Sequence, residues 1–107
     1  MIILIDDDKF IRLGWSLKAR KFNIPFIAFK SLRDFLETDT IVHIDSMIFI
    51  DSNLEDGLKG EIESEKLFKD GFKNIYLTTG YDDIALNDYP WIKKRISKEF
   101  PLQLIDN

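Results

Sequence analysis

The sequence contains no cysteine, one histidine, five glycines and three prolines in 107 residues. The lack of cysteine excludes a disulfide scaffold and a cysteine-ligated zinc site, and one histidine cannot form a histidine cluster. No apolar run approaches the ~18 residues of a membrane span. The start of the chain also lacks the basic residues and the long apolar stretch of a signal peptide. We therefore expect a cytoplasmic protein that does not bind a membrane.

Basic residues are in the minority, with 15 Lys and Arg against 19 Asp and Glu and a net charge of −4. This balance argues against a nucleic-acid-binding protein. The chain is 45% hydrophobic and has nine Phe and two Trp, which are enough large apolar side chains for a core. The length suits one domain, which we expect to span residues 1–107.

Short apolar segments alternate along the chain with segments of helical periodicity. The predicted strands are Ile2–Ile5, Phe26–Phe29, Ser46–Ile50, Asn74–Thr78 and Trp91–Ser97. The predicted helices are Asp8–Phe22, Ser31–Thr38 and Glu61–Lys69, with at most a turn or two at Asp82–Asp88. This alternation predicts a parallel α/β sheet. Three charged residues interrupt the fifth strand, so it is expected at an edge. The final helix is expected to be stunted or missing.

Polar residues follow the predicted strands at the points where they end. Asp6 and Asp7 follow the first strand, Asp51 the third, Thr79 the fourth and Lys98 the fifth. Ligands of open parallel sheets bind beyond the carboxyl ends of the strands, so these side chains are expected to converge. Three neighbouring carboxylates repel one another, and a hard divalent cation such as Mg²⁺ relieves that repulsion.

This set of residues suits phosphoryl transfer. A carboxylate beside a metal ion can accept a phosphoryl group as an acyl phosphate. Asp51 is the best candidate for this nucleophile because it ends the central apolar strand on its own. The oxygens of the transferring group need positive charge and hydrogen-bond donors, which Lys98 and the Thr79 hydroxyl would supply.

Four segments together resemble the receiver (response-regulator) domains of two-component signalling. They are Ile3–Arg12, Ile48–Leu54, Leu77–Gly80 and Ile96–Lys98. The resemblance covers residues 1 to about 101 and treats 102–107 as the remnant of the last helix. It implies a flavodoxin-like fold, with a five-stranded parallel sheet in the order 2-1-3-4-5.

The resemblance also assigns roles at the predicted site. It implies Asp51 as the phosphoacceptor, with a sensor histidine kinase as the donor, in cis or in trans. Thr79 and Lys98 match the hydroxyl and the ammonium that contact the phosphoryl group. Such a domain transfers and slowly loses its own phosphoryl group, so we do not expect a turnover enzyme.

A magnesium site is implied by the same resemblance. Asp7 matches a direct ligand, and Asp6 matches a residue that acts mainly through water. Asp51 is the third carboxylate ligand of the implied site. Asn53 stands where the family binds Mg²⁺ through a backbone carbonyl.

Several residues depart from the family's pattern. Glu99 stands where the family usually has a proline after the lysine, often with a cis peptide bond between the two. Without proline, a cis bond costs roughly 2.5–4 kcal/mol. A trans and displaced Lys98 loop is therefore expected. Arg95 occupies the position of the aromatic switch residue. The spacing from Thr79 to Lys98 is short, which implies a shortened fourth helix. The segment Tyr89–Lys93 resembles C-terminal receivers of hybrid sensor histidine kinases.

Two other functions remain open at this point. These departures are compatible with a degenerate receiver that acts as a phosphorylation-independent interaction module. A small aspartyl-phosphate phosphohydrolase would need a second carboxylate where Asn53 stands. The stunted last helix is also expected to leave an uncovered apolar patch near Leu102, Leu104 and Ile105. Such a patch would contact a partner domain or a second copy of the chain.

Overall fold

A five-stranded parallel sheet organises the computed structural model, which describes residues 1–80 and 85–105. The strands are β1 (Ile2–Ile5), β2 (Phe26–Phe29), β3 (Met47–Asp51), β4 (Asn74–Thr78) and β5 (Ile92–Ile96). Their spatial order is β2-β1-β3-β4-β5, which confirms the predicted order and the edge position of β5. Within the described ranges, no helix has the length and apolar character needed to cross a membrane.

Side-chain caps mark the start of the first two helices. Helix α1 (Lys9–Lys21) starts after Asp8, whose carboxylate accepts the Phe10 N–H at 2.8 Å. Helix α2 (Leu32–Glu37) starts after Ser31, whose hydroxyl accepts the Asp34 N–H at 3.0 Å. In both cases a side-chain oxygen satisfies an N–H that has no partner within the helix.

The single helix predicted over Glu61–Lys69 was wrong, because two short helices occupy this region. They are α3 (Gly60–Glu63) and α4 (Glu65–Lys69), and Ser64 lies between them. The Ser64 hydroxyl donates to the Glu61 carbonyl at 3.1 Å, and this local bond competes with a regular helix.

The two remaining helix predictions lie on either side of β5. Part of the turn predicted at Asp82–Asp88 lies outside the described residues, and 85–91 form turns without a helix. After β5, residues up to 105 form one short 3₁₀ turn, Leu102–Leu104. The prediction of a stunted last helix is therefore confirmed for this part of the chain.

Apolar residues of the strands alternate between the two faces of the sheet. One face buries Ile3, Ile5, Ile48 and Ile50 against α2 and α4. The other buries Ile2, Leu4 and Phe49 against Trp15 of α1. This period of two places a continuous core on each side of the sheet.

The apolar patch predicted after β5 was mostly wrong. Leu104 and Ile105 are half-buried and pack on the same face of the sheet as Trp15, while Leu102 is exposed. The short 3₁₀ turn and the residue after it therefore cover part of the sheet face that a full helix would cover. Three large apolar side chains on the outer side of α1, Phe10, Leu13 and Leu17, are also exposed.

Candidate functional site

Three carboxylates meet at the carboxyl edge of the sheet. Ile5 lies opposite Ile50 in the β1–β3 pairing, so the residues that follow them, Asp6 and Asp51, also lie side by side. Both are buried, whereas Asp7 is exposed. One carboxylate oxygen from each of the three lies within 4.8 Å of the other two. Strand adjacency has thus brought together acids that lie far apart in sequence.

Asp6 is fixed by bonds to its backbone and its side chain. Its N–H donates to the Phe29 carbonyl of β2 at 3.0 Å, and its carboxylate Oδ1 accepts the Asp8 N–H at 2.9 Å. The Arg12 guanidinium donates to the Asp6 carbonyl at 2.8 Å. This carboxylate therefore belongs to the rigid frame of the sheet.

Asp51 is held by close packing of its own backbone. The next residue, Ser52, donates its N–H to the Thr78 carbonyl and accepts the Gly60 N–H, both at 3.0 Å. Gly60 lies so near that an added Cβ would overlap the Asp51 carbonyl oxygen. The sequence pattern around Gly60 gives no sign of this contact.

Lys98 lies between the two buried carboxylates. Its ammonium Nζ is 2.9 Å from Asp51 Oδ2 and 3.0 Å from Asp6 Oδ2. Residues 1–80 and 85–105 contain no cis peptide bond, so the segment is trans as expected. The expected displacement of the Lys98 loop was wrong, because the ammonium still reaches both acids.

Trp15 connects Lys98 to helix α1. Its indole Nε1 donates to the Lys98 backbone carbonyl at 2.9 Å, across 83 positions of sequence. The indole is buried and packs edge-on against Phe49 and Phe100. The sequence pattern of α1 gives no sign of this hydrogen bond.

Burial and neighbouring charges shift the pKa values of Asp51 and Lys98. Burial is the largest influence on Asp51 and raises the pKa of its carboxyl; the hydrogen bond from Lys98 opposes this, and the Asp6 charge adds to it. Burial acts to lower the pKa of the Lys98 ammonium, but its bonds to Asp51 and Asp6 prevail and the pKa is raised. One ammonium thus only partly compensates two buried acids.

The acidic cluster can hold a metal ion. Asp51 Oδ1 is buried and accepts no hydrogen bond within the part of the chain that the structure describes. The donor set consists of oxygen atoms only, which suits a hard divalent cation such as Mg²⁺. Asn53 is exposed, and its side-chain Oδ1 accepts from Lys59 Nζ at 3.2 Å. The role of its carbonyl as a ligand stays a prediction.

Thr79 is buried and directly follows β4. Its predecessor Thr78 is the register partner of Asp51, and the Thr79 N–H donates to the Ile96 carbonyl of β5 at 3.1 Å. This places Thr79 between the strands that lead to Asp51 and Lys98. The role of its hydroxyl toward a phosphoryl group stays a prediction.

The fold matches that of a solved receiver. A response regulator receiver protein from Pseudoalteromonas atlantica superposes with a TM-score of 0.73 at 24% sequence identity, covering 91% of this chain and 83% of that chain. The chain therefore has the receiver fold. No family model matches the sequence, and no curated protein matches it.

Proposed function

We propose that this chain is a phosphoacceptor receiver domain, which takes a phosphoryl group from a histidine kinase onto Asp51 with Mg²⁺. The observation that carries the proposal is the geometry around Asp51. One of its carboxylate oxygens is bound by Lys98, and the other has no hydrogen-bond partner in the described residues. The carboxylates of Asp6 and Asp7 lie near enough to bind the same metal ion as Asp51. A carboxylate placed like that of Asp51 can attack phosphorus, while Lys98 and a cation bound by the neighbouring carboxylates supply positive charge.

The proposed transfer exchanges one bond for another. One carboxylate oxygen of Asp51 forms a bond to phosphorus as the bond from phosphorus to the kinase histidine nitrogen breaks, and that nitrogen keeps the electron pair. Lys98 stays beside the other oxygen and compensates charge on the phosphoryl oxygens. The Thr79 hydroxyl donates to one of those oxygens. Bound Mg²⁺ supplies further positive charge for the same oxygens.

The proposed second step is slow hydrolysis. Water attacks phosphorus, inorganic phosphate leaves, and the Asp51 carboxylate is regenerated. The domain acts on its own phosphoryl group, so it is a signalling module and not a turnover enzyme.

The test is uptake of phosphoryl groups from acetyl phosphate, or of beryllofluoride as a mimic, in the presence of Mg²⁺. We expect the wild-type protein to gain a phosphoryl group by mass spectrometry and Asp51→Asn to gain none. Asp45→Asn is the matched control, since Asp45 is an exposed acid just before β3, at its opposite end. Equal behaviour of wild type and Asp51→Asn would overturn the proposal.

A second candidate is a receiver that binds a partner without phosphorylation. It is favoured by the position of Lys98, whose ammonium pairs with both buried acids. A calorimetric Mg²⁺ titration separates the two functions, because saturable binding that is lost in Asp51→Asn supports the phosphoacceptor. The phosphohydrolase gains no support, since Asn53 offers no second carboxylate.

A further inference from the structure

The backbone after β5 must place the Lys98 ammonium accurately, yet little in the local sequence makes it rigid. None of Ser97, Lys98 and Glu99 is a proline, and a long lysine side chain loses much conformational entropy when it is fixed. The segment also borders an open groove of about 600 Å³, lined in part by Lys98, Glu99 and Phe100. Packing on that side of the segment is therefore incomplete.

The Trp15 indole provides a fixed point for this segment. It is 2% exposed, and its ring packs edge-on against Phe49 at a centroid distance of 5.3 Å. Phe49 belongs to β3, the same strand that carries Asp51. On its other side the indole packs against Phe100 at 5.5 Å, two residues beyond Lys98. The ring is thus anchored to the strand of the acid and holds the segment of the ammonium.

We infer that Trp15 is a positioning residue for Lys98, acting through the hydrogen bond from its indole Nε1 to the Lys98 carbonyl. This inference rests on the proposed phosphoacceptor function. The bond length is 2.9 Å, and it ties the backbone of Lys98 to an indole that packs against Phe49 of β3. Losing the donor frees the carbonyl, so the ammonium samples more positions around Asp51.

The decisive variant is Trp15→Phe, which keeps an aromatic ring and removes the N–H. A hydrogen bond contributes about 1 kcal/mol, so we expect about fivefold weaker beryllofluoride binding with Mg²⁺ present. Mg²⁺ binding alone, measured by calorimetry, is expected to stay within twofold, because the carboxylates remain on their strands. A purely structural role of Trp15 would weaken both equally, and that result would overturn the inference.

Trp91→Phe is the matched control. The Trp91 indole also donates one hydrogen bond, to the Ser64 hydroxyl at 2.7 Å, but it packs on the other face of the sheet. We expect this variant to lose similar stability and to bind beryllofluoride as the wild type does. An equal loss of affinity in both tryptophan variants would contradict the specific role of Trp15.

A second replacement covers the case in which Trp15→Phe fails to fold. Benzothienylalanine at position 15 keeps the bicyclic shape and lacks the N–H, and it is expected to give the same fivefold loss. If wild-type protein fails to bind beryllofluoride, the proposed function fails and the inference with it. If wild type binds and both Trp15 replacements bind equally well, only the inference fails.

Discussion

The acidic half and the cationic half of the site are built in different ways. Asp6 and Asp51 directly follow or end buried strands, and backbone hydrogen bonds to β2, β4 and Gly60 hold the chain around them. Lys98 lies in an irregular segment after the edge strand, and a single indole ties its carbonyl to the body of the protein. The acids are therefore fixed by the fold as a whole, while the ammonium depends on a few side chains. Substitutions that act on one half only can test this difference.

The largest effect is expected at Gly60, in the acidic half. Gly60→Ala forces a Cβ against the Asp51 carbonyl and should lower the free energy of unfolding by about 2–3 kcal/mol, in the upper part of the usual range for overpacking. Urea denaturation followed by circular dichroism measures the change. Gly14→Ala is the control, since a Cβ there meets no atom within 4 Å and should stabilise α1 by about 0.5–1 kcal/mol. Similar losses in both variants would refute the close packing at Asp51.

Removal of the ammonium should have the next largest effect. Lys98→Ala leaves Asp6 and Asp51 buried without their cation, and we expect a loss of about 2 kcal/mol in metal-free buffer. The raised pKa of Lys98 means that its stabilisation is fully present below pH 10.5 and is lost as pH rises through the raised value. Lys94→Ala, an exposed lysine in β5, should change stability by less than about 0.5 kcal/mol. A Lys98→Ala variant as stable as this control would contradict the ion pairs.

Removal of one acid should have a smaller effect and the opposite sign. The pKa of Asp51 in the folded state is raised above its ordinary value of 3.8. Between pH 3.8 and the raised pKa, the folded state therefore binds more protons than the unfolded state. Stability then falls as pH rises through this window. Asp51→Asn removes the charged form and should stabilise the metal-free protein by about 1 kcal/mol at pH 7. Urea denaturation across pH should show this gain shrinking towards pH 3.8; a constant difference would argue against the raised pKa.

The smallest effect is expected on the outer side of α1. Leu13 is 56% exposed, so Leu13→Ala should change the free energy of unfolding by less than about 0.5 kcal/mol. Beryllofluoride affinity should remain within twofold of wild type, since only the inner side of this helix contacts Lys98. A loss as large as that of Trp15→Phe would mean that α1 influences the ammonium through more than its indole.

The acidic half was largely predictable from the sequence. Short apolar strands ending at Asp6 and Asp51 predict a parallel sheet, and neighbouring strands in such a sheet place their carboxyl ends together. The same pattern cannot predict how closely Gly60 packs, because that contact depends on the path of a loop. Ser64 likewise interrupts a helix through a side-chain bond that periodicity does not reveal.

The cationic half was less predictable. The position of Lys98 after the fifth strand indicates the correct edge, but its expected displacement rested on Glu99 alone. The hydrogen bond from Trp15 holds the Lys98 backbone in place. Because the two residues lie 83 positions apart, the local sequence around either one does not predict this contact. Irregular segments are fixed by such distant contacts, so their geometry follows from the assembled core and not from the pattern of their own residues.

The two tryptophans lie on opposite faces of the sheet, and this gives the protein two separate optical reporters. Trp15 packs with Phe49, and Trp91 packs with Tyr89 in the other layer. Trp91→Phe would leave an emission signal that comes from the layer beside Lys98, and Trp15→Phe would leave one from the opposite layer. Intrinsic fluorescence can therefore report on the surroundings of each tryptophan separately, without an attached dye.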